Sequence, residues 1–169
     1  MTSPTSSTDT FPVLRIAGLV GLPQQISWQE LASFPEEQQV ADVSHLDPKR
    51  RGRAVRLAAI LDRVAVQPSA TYIGLHAERD DFHASIPLAA VRDRALLIYA
   101  IDAQPLSVAA GGPFRFFIPD YMACHTSEID ECANVKYVEW IEFTADRGFD
   151  NRPHDDAAHN ALHQKSTNG

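Results

Sequence analysis

Asp81-Phe82-His83-Ala84-Ser85-Ile86-Pro87, Leu97-Ile98-Tyr99 running on to Gln104-Pro105-Leu106, Gly111-Gly112-Pro113-Phe114-Arg115, and Asn134-Val135-Lys136-Tyr137-Val138 are the pieces, in that order between Tyr72 and Phe143, whose reading decides the fold. Tyr72-Ile73-Gly74-Leu75 ahead of them reads as a strand. Pro87 suits a first helical position, because the N–H it lacks would find no intrahelical partner there, and it predicts a helix through Val91. Ala95 to Ile101 is an apolar run of strand formers, Ala103 to Leu106 a turn, and Phe114 to Ile118 a strand. Val135 to Thr144 completes the set, with Tyr137, Glu139, Ile141 and Phe143 alternating against Val138, Trp140 and Glu142. Gly111-Gly112-Pro113 is not followed by a helical pattern, so it is not read as a nucleotide-binding loop.

Outward from this stretch, Val13 to Val20 predicts a first strand closed by Gly21 and Pro23. Ser27-Trp28-Gln29-Glu30 has capping-box spacing and opens a short helix to about Phe34, with Trp28, Leu31 and Phe34 as its buried stripe. Gln39 to Val43 reads as a strand and His45 to Gly52 as a polar loop. Val55 to Val64 places Leu57, Ile60, Leu61 and Val64 on one helical face. Helices and strands mixed without strict alternation imply a single α+β domain, a mixed sheet or barrel with flanking helices, over residues 11–146. Residues 1–10 and the polar tail 147–169 are expected to be disordered.

The 44% hydrophobic share of 169 residues is that of a globular protein with a real core, and no apolar run approaches the roughly 20 residues of a membrane span. A formal net charge of -7 disfavours a nucleic-acid partner. The one basic cluster, Lys49-Arg50-Arg51-Gly52-Arg53-Ala54-Val55-Arg56, has no interleaved aromatics for base stacking; it reads as a solvated loop and helix start, better matched to a small anionic ligand. The first ten residues lack the basic and apolar regions of a secretory signal, so the expected setting is cytoplasmic. Two cysteines, Cys124 and Cys132, are too few for a disulfide framework.

Taken together, the motifs resemble the molybdopterin-binding domain of the sulfite oxidase family, over nearly the whole globular part. The resemblance implies that Gly112-Pro113-Phe114-Arg115 and Asn134-Val135-Lys136 lie beside a pterin and its phosphate, with Arg115, Asn134, Lys136 and His83 as cofactor-binding candidates. A phosphate needs backbone N–H groups and charge-assisted donors, which Arg115 and Lys136 supply if they converge. On the residues alone, both could equally be solvent-facing strand positions.

Two departures bear on chemistry. The family holds molybdenum through a cysteine thiolate after its second strand, whereas the corresponding stretch, Val40-Ala41-Asp42-Val43-Ser44-His45-Leu46-Asp47, has none, and a hydroxyl or carboxylate is no equal for a soft ligand. Phe82 stands where sulfite-oxidising members carry a tyrosine, which keeps the packing and deletes the hydroxyl. An insertion, Tyr121 to Cys132, brings Cys124, His125 and Cys132 into the same region. They could be metal ligands, holding a structural zinc with His45 or His83, or the cysteines could pair as a disulfide, or both could be packed thiols. His45, His76 and His83 each read first as hydrogen-bonded structural residues, and His159 and His163 in the tail match no metal pattern. The expectation is a small molybdopterin-binding-like domain that lacks sulfite oxidase activity and binds a small anionic ligand or serves as an auxiliary protein. The alternative is a diverged molybdopterin-dependent oxidoreductase with unusual metal ligation.

Overall fold

The computed structural model describes residues 11–21 and 24–152. Expectations for residues 1–10, for Pro23 and for the tail from 153 to 169, His159 and His163 included, lie outside them. The chain runs β1 (Val13–Gly18), β2 (Gln24–Ser27), α1 (Trp28–Ala32), β3 (Gln39–Val40), β4 (Arg53–Arg56), α2 (Leu57–Val64), β5 (Tyr72–Ala77), β6 (Phe82–Pro87), α3 (Leu88–Val91), β7 (Leu96–Ile101), β8 (Gln104–Pro105), β9 (Arg115–Phe117) and β10 (Trp140–Thr144). One sheet has the order β2-β1-β10-β5-β6, with β1 and β10 parallel and the other pairs antiparallel. The second has the order β3-β4-β7-β8, and β9 also pairs with β7, antiparallel throughout. This is the expected α+β class with a mixed sheet.

The local chemistry explains the elements. Ser27 Oγ accepts from Glu30 N at 3.1 Å and caps α1, and Trp28 Nε1 donates to the Tyr99 carbonyl at 2.8 Å, tying α1 to β7. On α2, Leu57, Ile60, Leu61 and Val64 are all buried, each worth roughly 1.5–3 kcal/mol against exposure. That helix ends at Ala65 in the left-handed region, whose N–H reaches back to Asp62 and Leu61 carbonyls.

Several boundaries differ from expectation. Gln39 to Val43 is strand only over Gln39–Val40, because Asp42 Oδ1 accepts from Ser44 N at 2.9 Å and turns the chain into a 3-10 segment at Val43–His45. Arg53–Arg56, expected as loop and helix start, is the strand β4. Phe82–Pro87 is a strand leading into the predicted helix. The last strand begins at Trp140, since Tyr137 has φ of 60° and breaks the extended run.

The main core joins the inner faces of both sheets with α1, α2 and α3, and holds Leu14, Ile26, Leu61, Leu75, Tyr99, Phe116 and Phe143. A second, smaller cluster of Val43, Ala54, Leu96, Ile98, Leu106 and Phe117 lies on the opposite face of the second sheet. Strand β7 is therefore buried on both faces, which is why its sequence is a continuous apolar run. Residues 147–152, expected as tail, pack back on β6. Gly148 N donates to Ser85 Oγ at 2.8 Å, Ser85 N to Asp150 Oδ2 at 2.9 Å, and Arg152, only 4% exposed, clasps Asp150 and Asp130. Among the described residues no helix is long and apolar enough to cross a membrane.

Candidate anion-binding site

Alternation along β9 sets up the site. Phe116 points into the main core while Arg115 and Phe117 share the other face, over the smaller cluster. Two loops cover that face: the one entering β4, and the one from β8 through a 3-10 turn at Val108–Ala110 to Gly111. Between them lies a cavity of about 400 Å³ lined by Lys49, Arg50, Arg51, Ile101, Pro105, Ser107, Ala110 and Arg115. Three members of the basic cluster thus meet Arg115 at one place. Arg53 does not: its Nε bonds Gln39 Oε1 at 2.5 Å and Tyr99 Oη at 3.1 Å, and its Nη2 bonds Glu36 at 2.8 Å.

The two inner guanidiniums are held and incompletely satisfied. Arg50 lies over the Phe117 ring at 4.8 Å, with its Nε on Asp47 Oδ2 at 3.2 Å. Its Nη1 and the Arg115 Nε are both buried without a hydrogen-bond partner among the described residues. Burial and then the neighbouring Arg50 charge push Arg115 below the ordinary guanidinium value. Two cations pressed together with orphaned donors are what an anion would relieve.

Gly111 joins Arg115 to Lys136. Its φ is +95°, in the left-handed region that favours glycine, and a Cβ on it would fall 3.2 Å from Arg115 Cδ and 3.5 Å from Lys136 Cγ. Tyr137 N donates to the Gly111 carbonyl at 2.8 Å, fixing the Lys136 segment against the loop. Lys136 itself is exposed. At Gly112 a Cβ would collide with the Leu106 carbonyl, so the Gly-Gly pair is required by close backbone approach.

The other candidates go elsewhere. Asn134 Oδ1 accepts from Ile118 N at 2.6 Å, which spends its acceptor on holding β9. His83 pairs with His76 on the first sheet, Nδ1 to Nδ1 at 2.8 Å. Phe82 stands opposite Ala77 and packs against the main core. Cys124 and Cys132 are not joined in a disulfide; Cys124 Sγ donates to the Ala90 carbonyl at 3.5 Å. Burial, then the Asp130 charge, pushes Cys132 up to about 11, and burial raises Cys124 as well. Among the described residues, no group of three or more His, Cys, Asp or Glu, and so no set built on Cys124, His125 and Cys132, is placed to hold a metal ion.

The donor set can be compared with what a molybdenum-pterin group would need. Its phosphate fits: Arg50 and Arg115 offer buried donors without a partner among the described residues. Its metal is less well served. Asp42 caps Ser44, whose hydrogen bonds, first through its backbone and then its side chain, hold the Asp42 carboxyl below the usual range, and the loop from Val40 to Asp47 brings no thiolate. Arg50 and its neighbours carried a signal in the sequence, the run of basic residues, but that run does not tell which members turn inward.

Comparison with known proteins bears on the family and the fold. The uncharacterized oxidoreductase YuiH of Bacillus subtilis (strain 168) is 31% identical over 113 residues, which are 63% of this chain and 56% of that protein. The sulfane dehydrogenase SoxCD of Paracoccus pantotrophus shares the fold with a TM-score of 0.58 at 17% identity, over 80% of this chain and 39% of that one. The chain thus spans about half the length of its curated relative. Residues 51–151, which include every basic lining residue except Lys49 and Arg50, match the model of the oxidoreductase molybdopterin binding domain. The chain therefore belongs to the oxidoreductase molybdopterin binding domain family.

Proposed function

We propose that this domain binds the phosphate end of a small anionic ligand, molybdopterin first among them, in the cavity between Arg50 and Arg115, and that it serves as a binding or auxiliary domain without sulfite oxidation. The observation that carries this reading is the pair of buried, unpartnered guanidinium nitrogens, Arg50 Nη1 and Arg115 Nε, on residues lining one cavity. Lys49 and Arg51 add positive charge around them. When bound, a molybdenum-pterin group would supply oxygen-atom and electron chemistry; this chain's residues would hold its phosphate. The absence of a cysteine between Val40 and Asp47, with Phe82 in place of a hydroxyl donor, supports the lack of sulfite oxidation. Two cysteines not joined in a disulfide fit a reducing, cytoplasmic setting.

The test is calorimetric titration with pyrophosphate, together with elemental analysis of protein purified from a host that makes the cofactor. Native protein should bind pyrophosphate, and Arg115→Gln should weaken it by roughly 10- to 100-fold, the worth of a charge-assisted hydrogen bond. Equal binding by both proteins would overturn the pocket assignment. Stoichiometric molybdenum with sulfite-dependent reduction of an acceptor would overturn the auxiliary role.

A further inference from the structure

The outer face of the first sheet carries a row of side chains in register across four strands: Arg15 on β1, Trp140 on β10, His76 on β5 and His83 on β6. Arg15 lies over the Trp140 ring at 5.9 Å, Trp140 and His76 stack at 3.9 Å, and His76 Nδ1 is 2.8 Å from His83 Nδ1. The far nitrogens meet carboxylates. His76 Nε2 is 3.3 Å from Glu142 Oε1, and His83 Nε2 is 3.1 Å from Asp81 Oδ1. Gly74 permits this, since a Cβ there would lie 2.9 Å from His76 Nε2.

The protons can be counted from the partners. A carboxylate only accepts, so each Nε2 carries a hydrogen. Two Nδ1 atoms at hydrogen-bond distance need one more between them, donated by one ring and accepted by the other. The closed contact thus takes three protons on four nitrogens, one more than two neutral rings hold. The acidic groups facing it are Glu142 from β10, Glu78 and Asp80 from the 3-10 turn between β5 and β6, and Asp81. The cations nearby are turned to other partners: Arg15 pairs with Glu78, Arg79 lies over Tyr137, and Arg79 and Lys136 act on Asp80. Burial lowers His76 below the ordinary histidine range.

His83 is also where the C-terminal segment is fastened. Its N–H donates to Asn151 Oδ1 at 2.8 Å, its carbonyl accepts from Asn151 N at 3.0 Å, and the Phe149 ring sits 5.0 Å from its imidazole. We propose that the His76–His83 pair is a one-proton latch for segment 148–152. The latch is closed while the two rings share one Nδ1 proton. A second proton, taken from solvent, turns the acceptor into a donor, sets two N–H groups against each other and breaks the bond. His76 is 4% exposed and stacked on Trp140, whereas the His83 side chain is 12% exposed and packs on Phe149, so His83 is the ring that moves; Phe149 moves with it and loosens the segment that Asn151 fastens to the His83 backbone. Because the folded state disfavours the second proton, the latch contributes stability above the ordinary histidine value near 6.5 and loses it as pH falls below.

The experiment is amide hydrogen exchange at Asn151, corrected for intrinsic pH dependence, with long-range nitrogen NMR of the histidines, on the full chain and on His83→Gln. Native protein should show three ring N–H groups on the pair at neutral pH and lose about tenfold or more Asn151 protection between about pH 7 and about pH 5. His83→Gln, whose amide can accept from His76 as well as donate to it, should lose less than about twofold. Two neutral rings at neutral pH, an unchanged native protection, or an equal loss in the variant would each overturn the latch. Saturation of the pair by equimolar zinc ions alone would overturn it in favour of a metal site.

Discussion

Cys132 shows how environment decides what a residue type can do. Soft-metal ligation and nucleophilic attack both require the thiolate, and burial beside Asp130 pushes Cys132 up to about 11. From an ordinary value of 9.0, that shift leaves about 100-fold less thiolate at pH 8. Alkylation of Cys132 by iodoacetamide at pH 8, followed by mass spectrometry, should therefore run about 100-fold slower than that of an unhindered thiol. A rate equal to the free thiol would show that the site is electropositive after all. Spacing alone left Cys124 and Cys132 open between metal, disulfide and packed thiol, because none of those outcomes is written in the sequence interval. Arg115 was legible as a basic residue in a phosphate-type motif; its neighbour Arg50 was not, since only the fold turns one arginine of the basic run onto Phe117 and another, Arg53, toward Tyr99.

Among the elements, the segment 147–152 is the one whose sequence most misleads. Its polar residues read as tail, yet each finds a partner: Asn151 on both sides of the His83 backbone, Asp150 on Ser85 N, Arg152 on Asp150 at 2.7 Å. Composition cannot distinguish a polar segment that solvates itself from one that satisfies an otherwise open strand edge. Arg152 and Asp150 have side chains only 4% and 3% exposed. Removing one partner strands the other, so Arg152→Ala should cost about 3–5 kcal/mol in urea unfolding, while a surface substitution such as Arg51→Ala should cost under about 1 kcal/mol. Burial by itself would raise Asp150, but the Arg152 side chain and the Ser85 and Arg152 N–H groups outweigh it and hold the carboxyl below its usual value. A depressed carboxyl contributes stability present above the unfolded value of 3.8 and lost as pH falls through the folded one. The native protein should accordingly lose stability below about pH 4, and Arg152→Ala should show a flatter acid limb. Equal slopes for the two proteins would mean that the pair does not anchor the segment.

At the scale of the whole molecule, the sequence made the α+β class and most strands legible because buried faces impose periodicity, and β7, buried on both sides, announced itself as an unbroken apolar run. What it could not show is which sheet a strand joins: β9 and β10 are both apolar, yet one pairs with β7 and the other with β5 and β1. That partition matters for function, since it places Arg115 over the second cluster and the histidine pair on the far sheet. The anion cavity has a stability cost of its own, because Arg50 and Arg115 are crowded with orphaned donors. Arg115→Met, which keeps much of the buried length and removes the charge, should therefore leave the unliganded domain as stable as native or more so, by about 1 kcal/mol. Ligand should reverse the order. At 100 times its dissociation constant an anion that binds only the folded state adds about 2.7 kcal/mol, or roughly 5 to 10 °C in Tm for a domain of this size. Differential scanning fluorimetry with and without pyrophosphate should thus raise the native Tm and raise that of Arg115→Met by about half as much or less. A variant less stable than native without ligand, yet shifted as far as native by pyrophosphate, would mean that Arg115 is a packing residue and that the anion binds elsewhere.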